Sequence, residues 1–206
     1  EHPRLPALIV STENSIARSG LAEHISESAS WYTFNGIRPN PTPKLIEQAA
    51  AFARENHIET IVGLGGGSAL DAARCVSLML GNSLTIAELQ NHIRSGASLE
   101  RKVDLIQVPT TAGTGAEVTP WASVWSDEGK KSSVDHPAGF ADYAYVDPAL
   151  TDSMPSRLSA AVGLDAMTHA MESLWGRHGN SFSNALATRA LELLQAELPQ
   201  VIEAPT

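Results

Sequence analysis

Three stretches of this 206-residue chain place chemistry-bearing residue types at useful spacings. The first is Gly65-Gly66-Gly67-Ser68, which follows the apolar run Thr60-Ile61-Val62-Gly63-Leu64 and precedes a helical pattern from Ala69 to about Met79. Strand, glycine turn and helix in that order bind phosphate: glycines let backbone N–H groups approach an anion, and the helix N-terminus adds partial positive charge. The run from Gly63 reads G-L-G-G-G-S rather than G-x-G-x-x-G, so a structural tight turn explains these glycines equally well on this segment alone. Ser68 with Asp71 resembles a capping box. The second stretch, Pro109 to Thr119, also follows a strand-like run (Leu105 to Pro109) and offers hydroxyls at Thr110, Thr111 and Thr114 together with Gly113 and Gly115. Hydroxyls and amides at the carboxyl ends of neighbouring parallel strands suit a ribose-phosphate ligand, against a Thr-rich surface turn as the bland alternative. The third is Gly163 to Glu172, where Asp165 and His169 stand four apart on a helical pattern and share a face. A carboxylate and an imidazole at that spacing can hold a divalent ion, or simply form a surface pair, and a catalytic site wants a third ligand.

These stretches need a scaffold, and the rest of the chain supplies one. Ala7 to Val10, Ser30 to Phe34, Thr60 to Leu64 and Leu105 to Pro109 read as strands; Trp121 to Trp125 and Tyr143 to Val146 are further candidates. Helical patterns fall around Ile16 to Ile25, after Thr42-Pro43 as N-cap and first helical residue, and after Ser68. Strands alternating with helices predict an α/β fold with a mainly parallel, Rossmann-like sheet. From about Thr151 only helical spacing remains, at Ser156 to Leu174 and Phe182 to Ile202. The predicted organisation is therefore an α/β domain over residues 1–150 and the start of an all-helical domain over 151–206.

Composition narrows the function classes. Fourteen Lys and Arg against 23 Asp and Glu give a net charge of −9, without the basic footprint of a nucleic-acid binder. One cysteine, Cys75, excludes an intrachain disulfide and fits a cytoplasmic setting. No apolar run approaches the ~18–20 residues of a membrane span. The remaining histidines (His2, His24, His57, His92, His136, His178) have no ligand spacing and read as surface residues. Trp121 and Trp125 read as core or pocket wall, and Cys75 as buried packing.

Taken together, Asn35 to Pro41, Gly65 to Arg74, Pro109 to Pro120, Val146-Asp147-Pro148 and Gly163 to Glu172 resemble, in order and over nearly the whole chain, the iron-containing (metal-dependent, group III) alcohol dehydrogenase family. The resemblance implies an NAD- or NADP-dependent enzyme that passes hydride between nicotinamide and a small aldehyde or alcohol, with a divalent metal (Fe²⁺ or Zn²⁺) as Lewis acid. It implies that Gly66, Gly67, Ser68 and Asp71 serve the pyrophosphate turn. Thr110, Thr111, Thr114 and Thr119 would line the nucleotide and nicotinamide-ribose pocket, Lys131 would contact the cofactor, and Asp165 and His169 would be the first two metal ligands. Family members commonly form homodimers. Pro120 to Trp125 with Lys130-Lys131, and Ser15 to Gly20, look like the branch that reduces phosphonoacetaldehyde. Glycerol dehydrogenase and dehydroquinate synthase share the fold, and a nucleotide-binding fragment without activity is the alternative of another class.

Three departures from the family pattern shape the expectations. Thr12 stands where many members carry an acidic residue that bonds the ribose hydroxyls, so NADP is expected to be accepted. Arg74 replaces the usual lysine, with little expected consequence. The chain ends at Thr206, before two further histidine ligands, and the opening hairpin is short at Glu1. A truncated form, holding metal weakly if at all and inactive on alcohols, is expected.

Overall fold

A computed structural model describes residues 3–20 and 30–203. Its contacts divide the chain into two units, Glu1–Thr110 with Ala116–Asp147, and Thr111–Gly115 with Pro148–Thr206. Nothing in the sequence pattern separates Thr111–Gly115 from its neighbours.

In the first unit the apolar runs form β1 (Ala7–Ser11), β2 (Trp31–Phe34), β3 (Thr60–Gly65) and β4 (Asp104–Pro109), with the two-residue strand β7 (Tyr143–Ala144) at one edge. All pair in parallel, in the order β2-β1-β3-β4-β7. Because helices cover such a sheet, its central strands read as unbroken apolar runs rather than alternating ones. The period of two is still visible in packing. Leu8, Val10, Ile61 and Leu105 join one core cluster, while Ile9, Val62, Leu64 and Ile106 join another.

The larger cluster lies against α2 (Pro43–Glu55) and α3 (Gly67–Asn82). α2 opens at Thr42 and Pro43 and buries Ile46, Ala49, Ala50 and Ala53. α3 is buried on most of its circumference, from Ala69 and Leu70 through Leu78 and Met79, and ends at Ser83 in the left-handed conformation (φ 52°). The helix expected around Ile16 to Ile25 begins earlier: α1 spans Glu13–Arg18, capped by the Thr12 side chain, which accepts the Ser15 N–H. Residues 21–29 lie outside the described residues.

Two elements differ from expectation. A helix α4 (Ile86–Arg94) starts at a complete capping box, Thr85 with Glu88. The strand candidate at Trp121 to Trp125 does form, as β5 (Trp121–Trp125), but it pairs antiparallel with β6 (Lys131–Asp135) in a separate hairpin. β6 reads Lys-Ser-Ser-Val-Asp and buries only Val134. On β5, Ala122 and Val124 turn inward while Trp121 is 59% exposed, so Trp121 is not a core residue.

The described residues of the second unit include two α-helices, α5 (Ser156–Trp175) and α6 (Ser181–Glu203), preceded by a short 3-10 helix, Pro148–Thr151. They cross closely at Gly163, where a Cβ would meet the Leu198 side chain at 2.4 Å. Among the described residues, no helix is long and apolar enough to cross a membrane.

Candidate functional site

Strand order locates the candidate site before any side chain is considered. The chain leaves β1 for β2 on one side and returns to β3 on the other, so the crevice at the carboxyl ends of β1 and β3 is the topological switch point of the sheet. Register places Ser11 opposite Leu64, and Gly65 opposite Pro109. Thr12, Gly66 and Thr110 therefore meet at one edge.

Gly65 makes the turn. Its φ of +146° is one that side-chain-bearing residues rarely adopt, and a Cβ there would stand 2.9 Å from the Ala69 Cβ and 3.1 Å from the Ser15 hydroxyl. Gly66 is the N-cap of α3, with no side-chain cap. The first N–H groups of a 16-residue helix therefore face the turn without helical partners, as an anion site requires. Gly66, Gly67 and Ser68 are half-buried, and thus reachable. The second loop is tied to the first by the Thr110 N–H, which donates to the Gly65 carbonyl at 3.0 Å. The Ser68 hydroxyl accepts the Asn40 N–H at 3.3 Å, which brings the Arg38–Pro41 loop to the same place.

The capping box expected at Ser68 and Asp71 does not form, because α3 starts at Gly67 with Gly66 as its N-cap, two residues earlier than that box requires. The Asp71 carboxylate turns to the β5–β6 hairpin instead. One oxygen accepts the Ser123 N–H at 2.9 Å, and the other accepts an Arg74 N–H at 3.3 Å. Lys131 begins β6, and its charge reaches Asp71. The Thr119 hydroxyl donates to the Ala116 carbonyl at 3.4 Å. Gly66, Gly67, Ser68 and Thr110 thus gather at one edge, while Asp71, Thr119 and Lys131 lie beside α3 and the hairpin. Thr111 and Thr114 fall in the second unit, half-buried and exposed respectively.

Arg74 is the residue that sequence reasoning undervalued. Its side chain is fully excluded from water. Its guanidinium donates to the carbonyls of Gly139, Trp121 and Ala116 as well as to Asp71. The arginine-for-lysine difference is therefore consequential, since an ammonium cannot reproduce a planar five-donor fork. The signal was present: a charge within Ala72-Ala73-Arg74-Cys75-Val76 must be paired if that helix is buried.

Desolvation raises the Asp71 carboxyl from 3.8 to about 6, against the opposing pull of the Ser123 N–H, Arg74 and Lys131. A carboxyl with a raised folded-state value binds a proton more readily folded than unfolded. Its contribution is fully present below the unfolded value and lost as pH rises through the folded one. Urea denaturation of wild type and Asp71→Asn should show wild type losing about 2 kcal/mol relative to the variant between about pH 4 and 7. A pH-independent difference would refute this. Burial also pushes the Cys75 thiol well above its ordinary range, consistent with inert packing.

In the second unit, Asp165 and His169 share one face of α5, with an Asp165 carboxylate oxygen 3.7 Å from His169 Nε2. Both side chains are about half exposed, so an ion could reach them. A hard carboxylate and an imidazole suit Fe²⁺ or Zn²⁺, and the pair fits as two donors of a larger set. Among the described residues, no group of three or more His, Cys, Asp or Glu side chains could hold a metal.

Comparison with known proteins identifies the family and the fold. Residues 2–148 match the family model described as iron-containing alcohol dehydrogenase, and residues 159–206 match its C-terminal counterpart. Long-chain-alcohol dehydrogenase 1 of Geobacillus thermodenitrificans is 35% identical over 201 residues, covering 95% of this chain and 50% of that protein. An iron-containing alcohol dehydrogenase from Thermotoga maritima superposes with a TM-score of 0.86 at 31% identity, over 96% of this chain and 55% of that one. Sulfoacetaldehyde reductase from Bifidobacterium kashiwanohense, solved in complex with NAD⁺, gives a TM-score of 0.86 at 28% identity, over 97% and 53%. The chain thus spans about half the length of these relatives. A doubly wound sheet with its glycine turn at the switch point, and a family match across both units, establish that this chain belongs to the iron-containing alcohol dehydrogenase family.

Proposed function

We propose that this chain is the dinucleotide-binding unit, and the start of the metal-binding unit, of an NAD(P)-dependent and metal-dependent alcohol dehydrogenase that works as a homodimer on a small aldehyde or alcohol. The observation that carries the reading is the glycine turn at the β1/β3 switch point, opening directly into α3. The N–H groups of Gly67 and Ser68 bind the pyrophosphate. Thr110, pinned to Gly65, offers a hydroxyl beside it, and Lys131 and Thr119 approach from the hairpin side. Asp165 and His169 would hold the divalent ion, which when bound supplies Lewis acidity toward the substrate oxygen. The nicotinamide supplies or accepts the hydride, and no side chain is needed as a covalent nucleophile.

Phosphonoacetaldehyde is the substrate we favour. The Pro120–Trp125 and Lys130-Lys131 pattern supports it, and the similar sulfoacetaldehyde reductase is named for another anionic two-carbon aldehyde. Assay of phosphonoacetaldehyde against butyraldehyde with the complete enzyme tests it; preference for butyraldehyde would overturn it.

Acceptance of both dinucleotides follows from Thr12. Its hydroxyl caps α1 through the Ser15 N–H at 3.1 Å and contacts the Ser15 hydroxyl at 2.8 Å, so no carboxylate at this position repels a 2′-phosphate. Titration of the chain with NADH and NADPH, followed by tryptophan quenching, should give dissociation constants within about tenfold of each other. Binding of NADH alone would overturn the dual acceptance, and binding of neither would overturn the dinucleotide reading.

A further inference from the structure

One buried charged group has no task in the proposed site. Arg74, on α3, gives its donors to three backbone segments that no strand ladder joins to that helix. Nε donates to the Gly139 carbonyl at 2.8 Å, and the two terminal nitrogens donate to the carbonyls of Trp121 and Ala116. Asp71 braces the same guanidinium at 3.3 Å and, through its other oxygen, takes the Ser123 N–H at 2.9 Å. Trp121 and Ser123 belong to β5, whose last residue, Trp125, pairs with Lys131 at the head of β6. The Ala116 carbonyl also accepts the Thr119 hydroxyl. The opposite end of this network is the head of α3, which carries Gly67 and Ser68.

We propose that Arg74, braced by Asp71, is a positioning residue for dinucleotide binding, holding the β5–β6 hairpin with Lys131, and the turn with Thr119, in fixed relation to the glycine turn. The inference rests on the reading of this chain as a dinucleotide-binding unit. Arginine is suited to the task because its five N–H groups lie in one plane and serve several carbonyls at once. Lysine retains the charge opposite Asp71 but brings three donors on a flexible stem, so it cannot keep all three segments in place.

The test is a double-mutant cycle in NADH affinity, read by tryptophan quenching of the whole chain, with Arg74→Lys, Lys131→Met and the double variant. Arg74→Lys should weaken NADH about tenfold while thermal melting stays cooperative, and Lys131→Met should weaken it by a similar factor. The double variant should bind within about threefold of the weaker single, because a lysine on a displaced hairpin has little contact left to lose. Independent effects, about a hundredfold in the double variant, would overturn the proposal. So would an Arg74→Lys affinity equal to that of wild type. Failure of wild type to bind NADH would instead overturn the dinucleotide reading, and this inference with it. Should Arg74→Lys melt too low to titrate, Asp71→Asn replaces it in the cycle, since it keeps an acceptor for the Ser123 N–H while removing the brace; the same coupling is expected.

Discussion

Arg74→Met is expected to cost the folded chain about 3–5 kcal/mol. Methionine is also long and unbranched, so loss of packing is not the main cause. The cost is electrostatic. The carbonyls of Ala116, Trp121 and Gly139 lose the Arg74 donors, and Asp71 keeps the Ser123 N–H and the more distant charge of Lys131 against its own negative charge. Removing one partner of a buried pair strands the other, which is why the penalty exceeds the modest net value of the intact pair. Asp71→Asn in the Arg74→Met background should therefore recover part of the loss, and a cycle of urea denaturation curves measures how much. A cost below about 1 kcal/mol for Arg74→Met would show that the buried carbonyls find other donors.

Gly65→Ala is expected to cost about 2–3 kcal/mol and to weaken NADH binding more than tenfold. Two effects add: a backbone at φ +146°, and a Cβ that would press on Ala69 and Ser15. Relief requires the turn to move, and the turn is where β3 hands the chain to the N-terminus of α3. Gly96→Ala separates the two effects, because Gly96 has φ +71° with nothing within 4 Å of a Cβ. It should cost about 1 kcal/mol and leave NADH affinity unchanged. Equal destabilisation by the two variants, with unaltered NADH affinity in both, would contradict the role given to Gly65.

The parts of this fold that were legible have local causes. β1, β3 and β4 announce themselves as apolar runs, since strands covered on both faces need no alternation. α2, α5 and α6 have residue patterns that a single helix can express. The glycine turn and the Asp165–His169 pair were visible because each is a short-range arrangement. α4 was missed although its Thr85–Glu88 capping box stands in plain sequence. β6 offers almost no apolar signal and exists because β5 pairs with it. The spacing pairs Asp71 with Ser68, three residues away, whereas its carboxylate accepts from Arg74 and from Ser123, the latter 52 positions along the chain.

The sequence by itself determined the central strands and most of the helices, where phosphate-binding and metal-binding residue types fall, and to which family the ordered motifs point. Those follow from side-chain periodicity, glycine and proline geometry, and spacing within a few residues. Tertiary structure alone decided the strand order that puts the glycine turn at the switch point, the hairpin that receives Asp71, and the work of Arg74. The physical reason is that a buried charge is defined by its partners, and the partners of Arg74 lie up to 65 positions away.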